Sequence, residues 1–154
     1  MYYVMVLGLM VVLPLVSSGV ELGVTGGDPV VIVGRWFLFW GAGVRLFIAG
    51  ISQVANPAFT TENILGEKNP GASHIVQELG FANLGFGVIG LAGAWVSGWA
   101  VPAAIGPGVF LLVAGIRHIA KRGKNGKEWL ACITDLLVGT VLVVFVVVSF
   151  VRGA

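Results

Sequence analysis

Five long apolar segments, separated by short polar links, constrain this chain more than any other feature. The last of them contains the run VLVVFVVVSFV. A helix that crosses the hydrocarbon core of a bilayer needs about 20 mostly apolar residues. Only 10% of the residues are charged, whereas soluble domains carry about 25%. The chain cannot cover itself with a surface compatible with water, so its solvent is predicted to be lipid.

The predicted fold is all-α, a polytopic transmembrane helix bundle that forms a single domain over residues 1–154. Glycine is abundant, with 24 residues, which in a membrane protein indicates closely packed helices. The link SGWAVP between the third and fourth segments is so short that a bundle of four spans is the alternative to five. The predicted spans are 2–20, 29–53, 73–96, 101–119 and 129–151.

Local signals mark the ends of some segments. Asp28 is placed to cap the second span, with Pro29 at the first helical position, where its missing N–H does no harm. The loop after this span is expected to contain a short helix that starts at Thr60 or Thr61 and ends at Gly66. Because no basic stretch precedes the first apolar segment, we expect a true span there rather than a cleaved signal peptide.

The distribution of basic residues predicts the orientation of the bundle. Four Lys and Arg side chains lie between Lys121 and Lys127, and such a loop is expected to be cytoplasmic. Counting back along the spans, the loop 56–73 and the N-terminus are also cytoplasmic, whereas the link 21–28 and the C-terminus lie outside. The basic run is too short and too local to indicate nucleic acid. The expected partners are the lipid bilayer and either other proteins or further copies of this chain.

Several ionisable and amide side chains fall within the apolar segments, where charge is costly. At a rise of about 1.5 Å per residue, the charged ones converge on the cytoplasmic half of the bilayer. Arginine and carboxylate are expected to pair there, either Arg45 with Glu78 and Arg117 with Asp135, or in the exchanged combination. The predicted polar cluster comprises Arg45, Gln77, Glu78, Asn83, Arg117 and Asp135.

Two interpretations of this polar cluster remain open. It forms a pocket for an anionic headgroup, a quinone or a proton, or it consists of buried ion pairs that hold the helices in register. A mixed metal site is a further alternative, because His and carboxylate side chains lie on one predicted side of the membrane: His74, Glu78, His118 and Asp135. A polar helix start and an interfacial histidine explain the same residues without a metal.

Small residues follow one face of the third span. Gly80, Gly87 and Gly90 lie on this face and are expected to let another helix come close. Asn83 lies on the same face and is expected to form a hydrogen bond across helices. Gly139 has the same packing role in the fifth span.

No motif for catalysis or for a cofactor is present in the sequence. It contains no phosphate loop, catalytic triad, zinc signature or haem attachment motif. The single cysteine, Cys132, excludes an internal disulfide and any metal site built on several cysteines. We therefore assign no catalytic residue and expect a protein that is not an enzyme.

The stretches GRWFLFWGAGVRLFIAGISQVANP, NPAFT and QELGFANLGFG carry a family resemblance. Residues 35–93 resemble an uncharacterised family of small multi-span prokaryotic membrane proteins, and the second span is distantly similar to DoxX-like proteins. The resemblance implies a multi-pass protein of the prokaryotic plasma (inner) membrane. Some DoxX-like proteins are membrane subunits of quinone-linked sulfur oxidation, but no motif assigns that role to residues of this chain.

The sequence therefore favours an integral membrane protein without catalytic function, serving as a structural or accessory subunit of a membrane complex or as a homo-oligomer. One alternative is a quinone- or lipid-binding module of a membrane redox system, with a bound lipid or quinone as its cofactor. The other is a small transporter or proton path.

Overall fold

The computed structural model describes residues 2–64 and 70–153, and these ranges contain six helices and no strand. All helices except α3 are long and apolar enough to cross a membrane. The predicted all-α bundle with five spans is thus confirmed, and α4 and α5 are separate helices. The helices are α1 (Tyr2–Thr25), α2 (Pro29–Ala55), α3 (Pro57–Asn63), α4 (Pro70–Trp95), α5 (Ala100–Ala120) and α6 (Gly126–Arg152).

The turn between α1 and α2 follows from its local sequence. Gly26, with a φ of 60°, ends α1 in the left-handed conformation that glycine adopts without steric cost. The Asp28 carboxylate accepts a hydrogen bond of 2.8 Å from the Val30 N–H, and Pro29 occupies the first helical position. The cap predicted for the second span is therefore confirmed.

The short helix α3 begins earlier than the sequence suggested. It starts at Pro57 rather than at Thr60 or Thr61, because Asn56 caps it and accepts a hydrogen bond of 3.3 Å from the Phe59 N–H. Asn56 thus both follows the end of α2 and caps the start of α3. The predicted end of this helix, Gly66, lies outside the described residues.

Two of the spans contain π-helical segments, which the apolar pattern did not indicate. The segments are Gly8–Val12 in α1 and Phe37–Val44 in α2. A π-helical turn holds more residues than an α-helical turn and is often found at functional sites. In α2 the segment ends directly before Arg45, so it sets the direction in which the Arg45 side chain leaves the helix.

Glycines let the helices approach one another closely within the chain. Gly43 and Gly50 of α2 face the backbone of α4, and a Cβ placed on Gly87 of α4 would lie 2.6 Å from the Phe47 nitrogen. Gly80 and Gly90 belong to the same contact. In the pairing of α5 with α6, a Cβ on Gly139 would lie 2.5 Å from the Leu112 nitrogen. The fully buried side chains of Met10, Leu38 and Leu142 pack together in the centre of the bundle.

Contacts between loops show which segments share an end of the bundle. The Asn125 side chain donates a hydrogen bond of 2.8 Å to the Ile64 carbonyl, and the Lys127 ammonium donates one of 3.1 Å to the Asn63 carbonyl. The Lys127 ammonium also lies 5.9 Å from the centre of the Tyr2 ring. We call this the basic end, formed by the start of α1, by α3 and by the loop before α6.

The other end of the bundle holds the turn before α2 and the end of α6, where Arg152 and Asp28 form an ion pair of 2.8 Å. Successive spans run in opposite directions between these two ends, as the predicted topology requires. That the basic end faces the cytoplasm stays a prediction.

Candidate functional site

A cavity of about 510 Å³ lies at the basic end, between the start of α1, the second half of α2 and the helix α3. Its volume falls within the range of about 300–1,000 Å³ that is typical of ligand sites. Ile48 and Phe59 in its wall are each 38% exposed at the protein surface, so the cavity opens sideways. We call it the main cavity; its lining is Tyr2, Met5, Arg45, Ile48, Ala49, Ser52, Gln53, Phe59, Thr60 and Ile64.

A smaller cavity of about 150 Å³ continues from the main cavity towards the interior of the bundle. The two share part of their lining, including Tyr2, Arg45 and Gln53. This inner cavity is bounded on its far side by Asn83 of α4, His118 of α5 and Asp135 of α6. Because one water molecule needs only about 10–15 Å³ of such space, the inner cavity is large enough for several waters or for one small polar group.

Arg45 stands where the two cavities meet. It is the first residue after the π-helical segment of α2 and is partly buried. Its side chain interacts with the Tyr2 hydroxyl and, electrostatically, with the Asp135 carboxylate. Its Nε is buried and has no hydrogen-bond partner among the described residues. Leaving a buried donor unpaired costs about 1–3 kcal/mol or more for charged groups, so the fold leaves this donor in need of an acceptor.

Asp135 and Arg45 both line the inner cavity but do not form a direct ion pair. The three ion pairs found in the described ranges join other residues: Arg35 with Glu21, Lys121 with Glu128, and Arg152 with Asp28. The Arg45 and Asp135 charges are therefore opposite and close enough to interact, but a space that both of them line remains between them.

Asn83 adds a hydrogen-bond acceptor to the inner cavity. Its Nδ2 donates a hydrogen bond of 2.7 Å to the Gln53 Oε1, which confirms the expectation of a bond across helices. Its Oδ1 is buried and has no partner among the described residues, although only 4% of Asn83 is exposed. The residues that line the inner cavity thus include Arg45 and Asn83, whose Nε and Oδ1 have no partner among the described residues, together with the Asp135 carboxylate.

The remaining members of the predicted polar cluster lie away from these cavities. Gln77 donates a hydrogen bond of 3.2 Å to the Val54 carbonyl, and Glu78 and Arg117 are exposed. The pairing of Arg45 with Glu78 is therefore not formed. Arg45 faces Asp135 instead, as in the exchanged combination, because α6 rather than the start of α4 lies across from it.

The four residues of the alternative metal site are not brought together. His118 and Asp135 line the inner cavity, whereas His74 and Glu78 are exposed on the first turns of α4. Within residues 2–64 and 70–153, no group of three or more His, Cys, Asp or Glu side chains converges in a way that could hold a metal ion.

A second polar network lies near the opposite end of the bundle and was missed in the sequence. The Glu21 carboxylate accepts hydrogen bonds from the Arg35 guanidinium and, at 2.7 Å, from the Trp36 indole N–H. Arg35 thus has a partner on α1. The network closes the contact between α1 and α2 and lies apart from both cavities.

The polar cluster predicted from the sequence omits three residues that line both cavities: Tyr2, Gln53 and Thr60. Gln53 carried a usable signal, since an amide within an apolar span needs a partner. Tyr2 and Thr60 lie at the edges of their segments, where polar groups are ordinary. Only the folded arrangement of α1 and α3 around α2 shows their contribution.

A family model matches residues 1–152 of the chain, nearly its whole length. The chain belongs to the family of unknown function DUF6790. No curated protein and no solved structure matches it. The match to DUF6790 agrees with the resemblance to an uncharacterised family, and it shows no relationship to DoxX-like proteins. Family membership brings no activity with it, so the cavities described above carry the functional argument.

Proposed function

We propose that this membrane protein binds an amphiphile, a molecule with an apolar tail and one hydrogen-bond-accepting head, in the main cavity. The observation that carries the proposal is the position of Arg45 at the junction of an apolar cavity and a polar one. Its buried Nε lacks a partner among the described residues. An accepting head beside Arg45 satisfies this donor, and the tail occupies the space along Met5, Ile48 and Phe59.

The cavity mouth supports an occupant that arrives from the bilayer. Ile48 and Phe59 are exposed in helices that are predicted to lie in or beside lipid. A tail that enters between them remains in an apolar environment throughout, so its transfer from lipid costs little. Lipids and quinones both have the required chemistry, an apolar chain with acceptor oxygens at one end.

The alternative role as a structural or accessory subunit has less support from the geometry. Glycine-lined faces would support this role if they were free to pack against other chains. Gly87 and Gly90 pack against α2 of the same chain, and Gly139 packs against α5. These faces are therefore filled within the protein, and we favour ligand binding over assembly.

Native mass spectrometry of gently extracted protein, followed by analysis of the extracted small molecules, tests the proposal. Wild-type protein is expected to retain about one amphiphile per chain. Arg45→Gln is expected to lose it, because the amide cannot replace the guanidinium. Arg117→Gln is the matched control, since Arg117 is exposed and lines neither cavity. Wild-type protein that carries no amphiphile and takes up none from mixed micelles overturns the proposal.

A second variant keeps the test decisive if Arg45→Gln does not fold. Ala49 lines both cavities, and Ala49→Phe fills space without changing any charge. We expect this variant to fold and to lose the bound molecule. Retention of the same molecule by folded Ala49→Phe protein would mean that the amphiphile binds elsewhere.

A further inference from the structure

The inner cavity presents two opposite charges that do not neutralise each other by direct contact. Arg45 and Asp135 both line it, and neither belongs to an ion pair among the described residues. The part of the chain that the structure describes also offers the Asp135 carboxylate no hydrogen bond. A head that binds to Arg45 therefore comes to lie close to a carboxylate that is not held in place by other partners.

A second cation, the Lys127 ammonium, lies beside the main cavity. The Lys127 ammonium lies 5.9 Å from the centre of the Tyr2 ring and 5.8 Å from the centre of the Phe59 ring, and both rings line the cavity. A molecule that enters thus passes one positive charge at the mouth and meets another at Arg45. Among the described residues, Asp135 is the only carboxylate in the walls of either cavity.

We propose that the amphiphile has an anionic head, and that Asp135 takes up one proton when this head binds beside Arg45. This inference rests on the proposed function and names the class of ligand. The carboxylate gains its proton from water at the basic end, and no other bond is made or broken. The proton is needed because a negative head and an ionised Asp135 repel each other strongly where water is scarce.

The surroundings of Asp135 leave few other groups that titrate. The elements packed around the inner cavity contribute Tyr2 from α1, Arg45 from α2 and His118 from α5, and Lys127 lies above the Tyr2 ring. The wall contributed by α3 and α4 is uncharged, with Thr60 and Asn83. Among the described residues that line the inner cavity, His118 is the side chain whose charge ordinarily changes near neutral pH, so the experiment must separate it from Asp135.

The test measures the binding of fluorescent phosphatidylglycerol to protein in nanodiscs of phosphatidylcholine, from about pH 8 to about pH 5. A phosphodiester head keeps its single negative charge over this range, because it lacks the second ionisation of phosphate monoesters near about pH 6. The affinity of the wild type for phosphatidylglycerol is expected to rise about tenfold when the pH falls by about one unit. This is the slope expected when one proton is taken up for each head that binds.

Two variants show which side chain takes up the proton. Asp135→Asn, which resembles the protonated side chain, is expected to bind phosphatidylglycerol at high pH as tightly as the wild type does at low pH, with a flat profile. His118→Gln is expected to keep the slope of the wild type. A slope that disappears in His118→Gln and persists in Asp135→Asn overturns the assignment to Asp135.

The experiments distinguish failure of this inference from failure of the proposed function. Binding of phosphatidylglycerol that requires Arg45 but does not depend on pH overturns the proton uptake and leaves ligand binding in place. Binding of a neutral quinone, with no binding of phosphatidylglycerol, overturns the anionic head and also leaves ligand binding in place. Absence of any amphiphile overturns both proposals.

Discussion

Gly43 of α2 and Gly90 of α4 meet backbone to backbone, and a Cβ placed on Gly90 would lie 2.9 Å from the Gly43 Cα. No side chain separates the two helices at this point. In lipid, where the hydrophobic effect does not drive helix association, such close packing is a main source of stability. The crossing also fixes α2, on which Arg45 stands, relative to Asn83 of α4.

Replacement of Gly90 by leucine is therefore expected to destabilise the monomer itself. A side chain at this position collides with backbone atoms, which cannot move aside, and overpacking of this kind costs about 1–3 kcal/mol. Unfolding in sodium dodecyl sulfate, followed by circular dichroism, measures the loss. Gly85→Leu is the control, because a Cβ on Gly85 of the same helix meets nothing within 4 Å. Equal stability of the two variants would contradict the packing described here.

The Glu21–Arg35 pair is expected to contribute more to stability than the Asp28–Arg152 pair. Glu21 and Arg35 are 21% and 31% exposed, and the Trp36 indole N–H also donates to the Glu21 carboxylate. Asp28 and Arg152 are more exposed, at 45% and 52%. Double-mutant cycles with Glu21→Gln and Arg35→Gln are expected to give about 1 kcal/mol of coupling, whereas the exposed pair gives close to zero. Coupling of the same size in both pairs would refute this difference.

Hydropathy and composition sufficed to predict the all-α bundle with five spans, because the bilayer itself dictates the length and the apolar character of a span. The cap at Asp28 was equally local and was also predicted. Counting residues along the helices predicted that Arg45 and Asp135 lie at similar levels of the bundle, and both line the inner cavity. These features depend on one segment at a time, and a single sequence contains them.

Features that depend on several segments were not predictable. The sequence does not say which helices are neighbours, so it left open whether Arg45 pairs with Glu78 or with Asp135, and only the fold shows that Arg45 and Asp135 line the same cavity. The π-helical segment Phe37–Val44 changes the direction of every side chain after it, and no local signal announces it. The cavities themselves exist because α3 and the start of α1 lie across the same face of α2.

Asn125 is expected to have two separable roles at the basic end. Its Oδ1 caps α6 by accepting hydrogen bonds from the Lys127 and Glu128 N–H groups, and its Nδ2 holds α3 through the Ile64 carbonyl. Asn125→Asp keeps the cap and removes the second bond, whereas Asn125→Ala removes both. Hydrogen exchange in α3 is expected to increase in both variants.

The stability of the whole protein separates these two variants. Asn125→Ala is expected to lose about 1 kcal/mol, the usual contribution of an N-cap, and Asn125→Asp is expected to lose little. Unchanged exchange in α3 in both variants would show that the bond to Ile64 does not hold this helix over the cavity. Equal losses of stability would argue against the separation of the roles.

The orientation of the bundle is testable with single cysteines. Cys132 is only 2% exposed, so it is replaced by alanine to give a background without thiols. Ser97 lies in the exposed link between α4 and α5, and Arg122 is exposed in the basic loop. If the basic end is cytoplasmic, as the excess of Lys and Arg predicts, a membrane-impermeant maleimide labels Ser97→Cys but not Arg122→Cys in intact cells. Inside-out vesicles are expected to give the opposite result. Labelling of Arg122→Cys from the outside of intact cells would show that the orientation is the reverse of the predicted one, with the same fold.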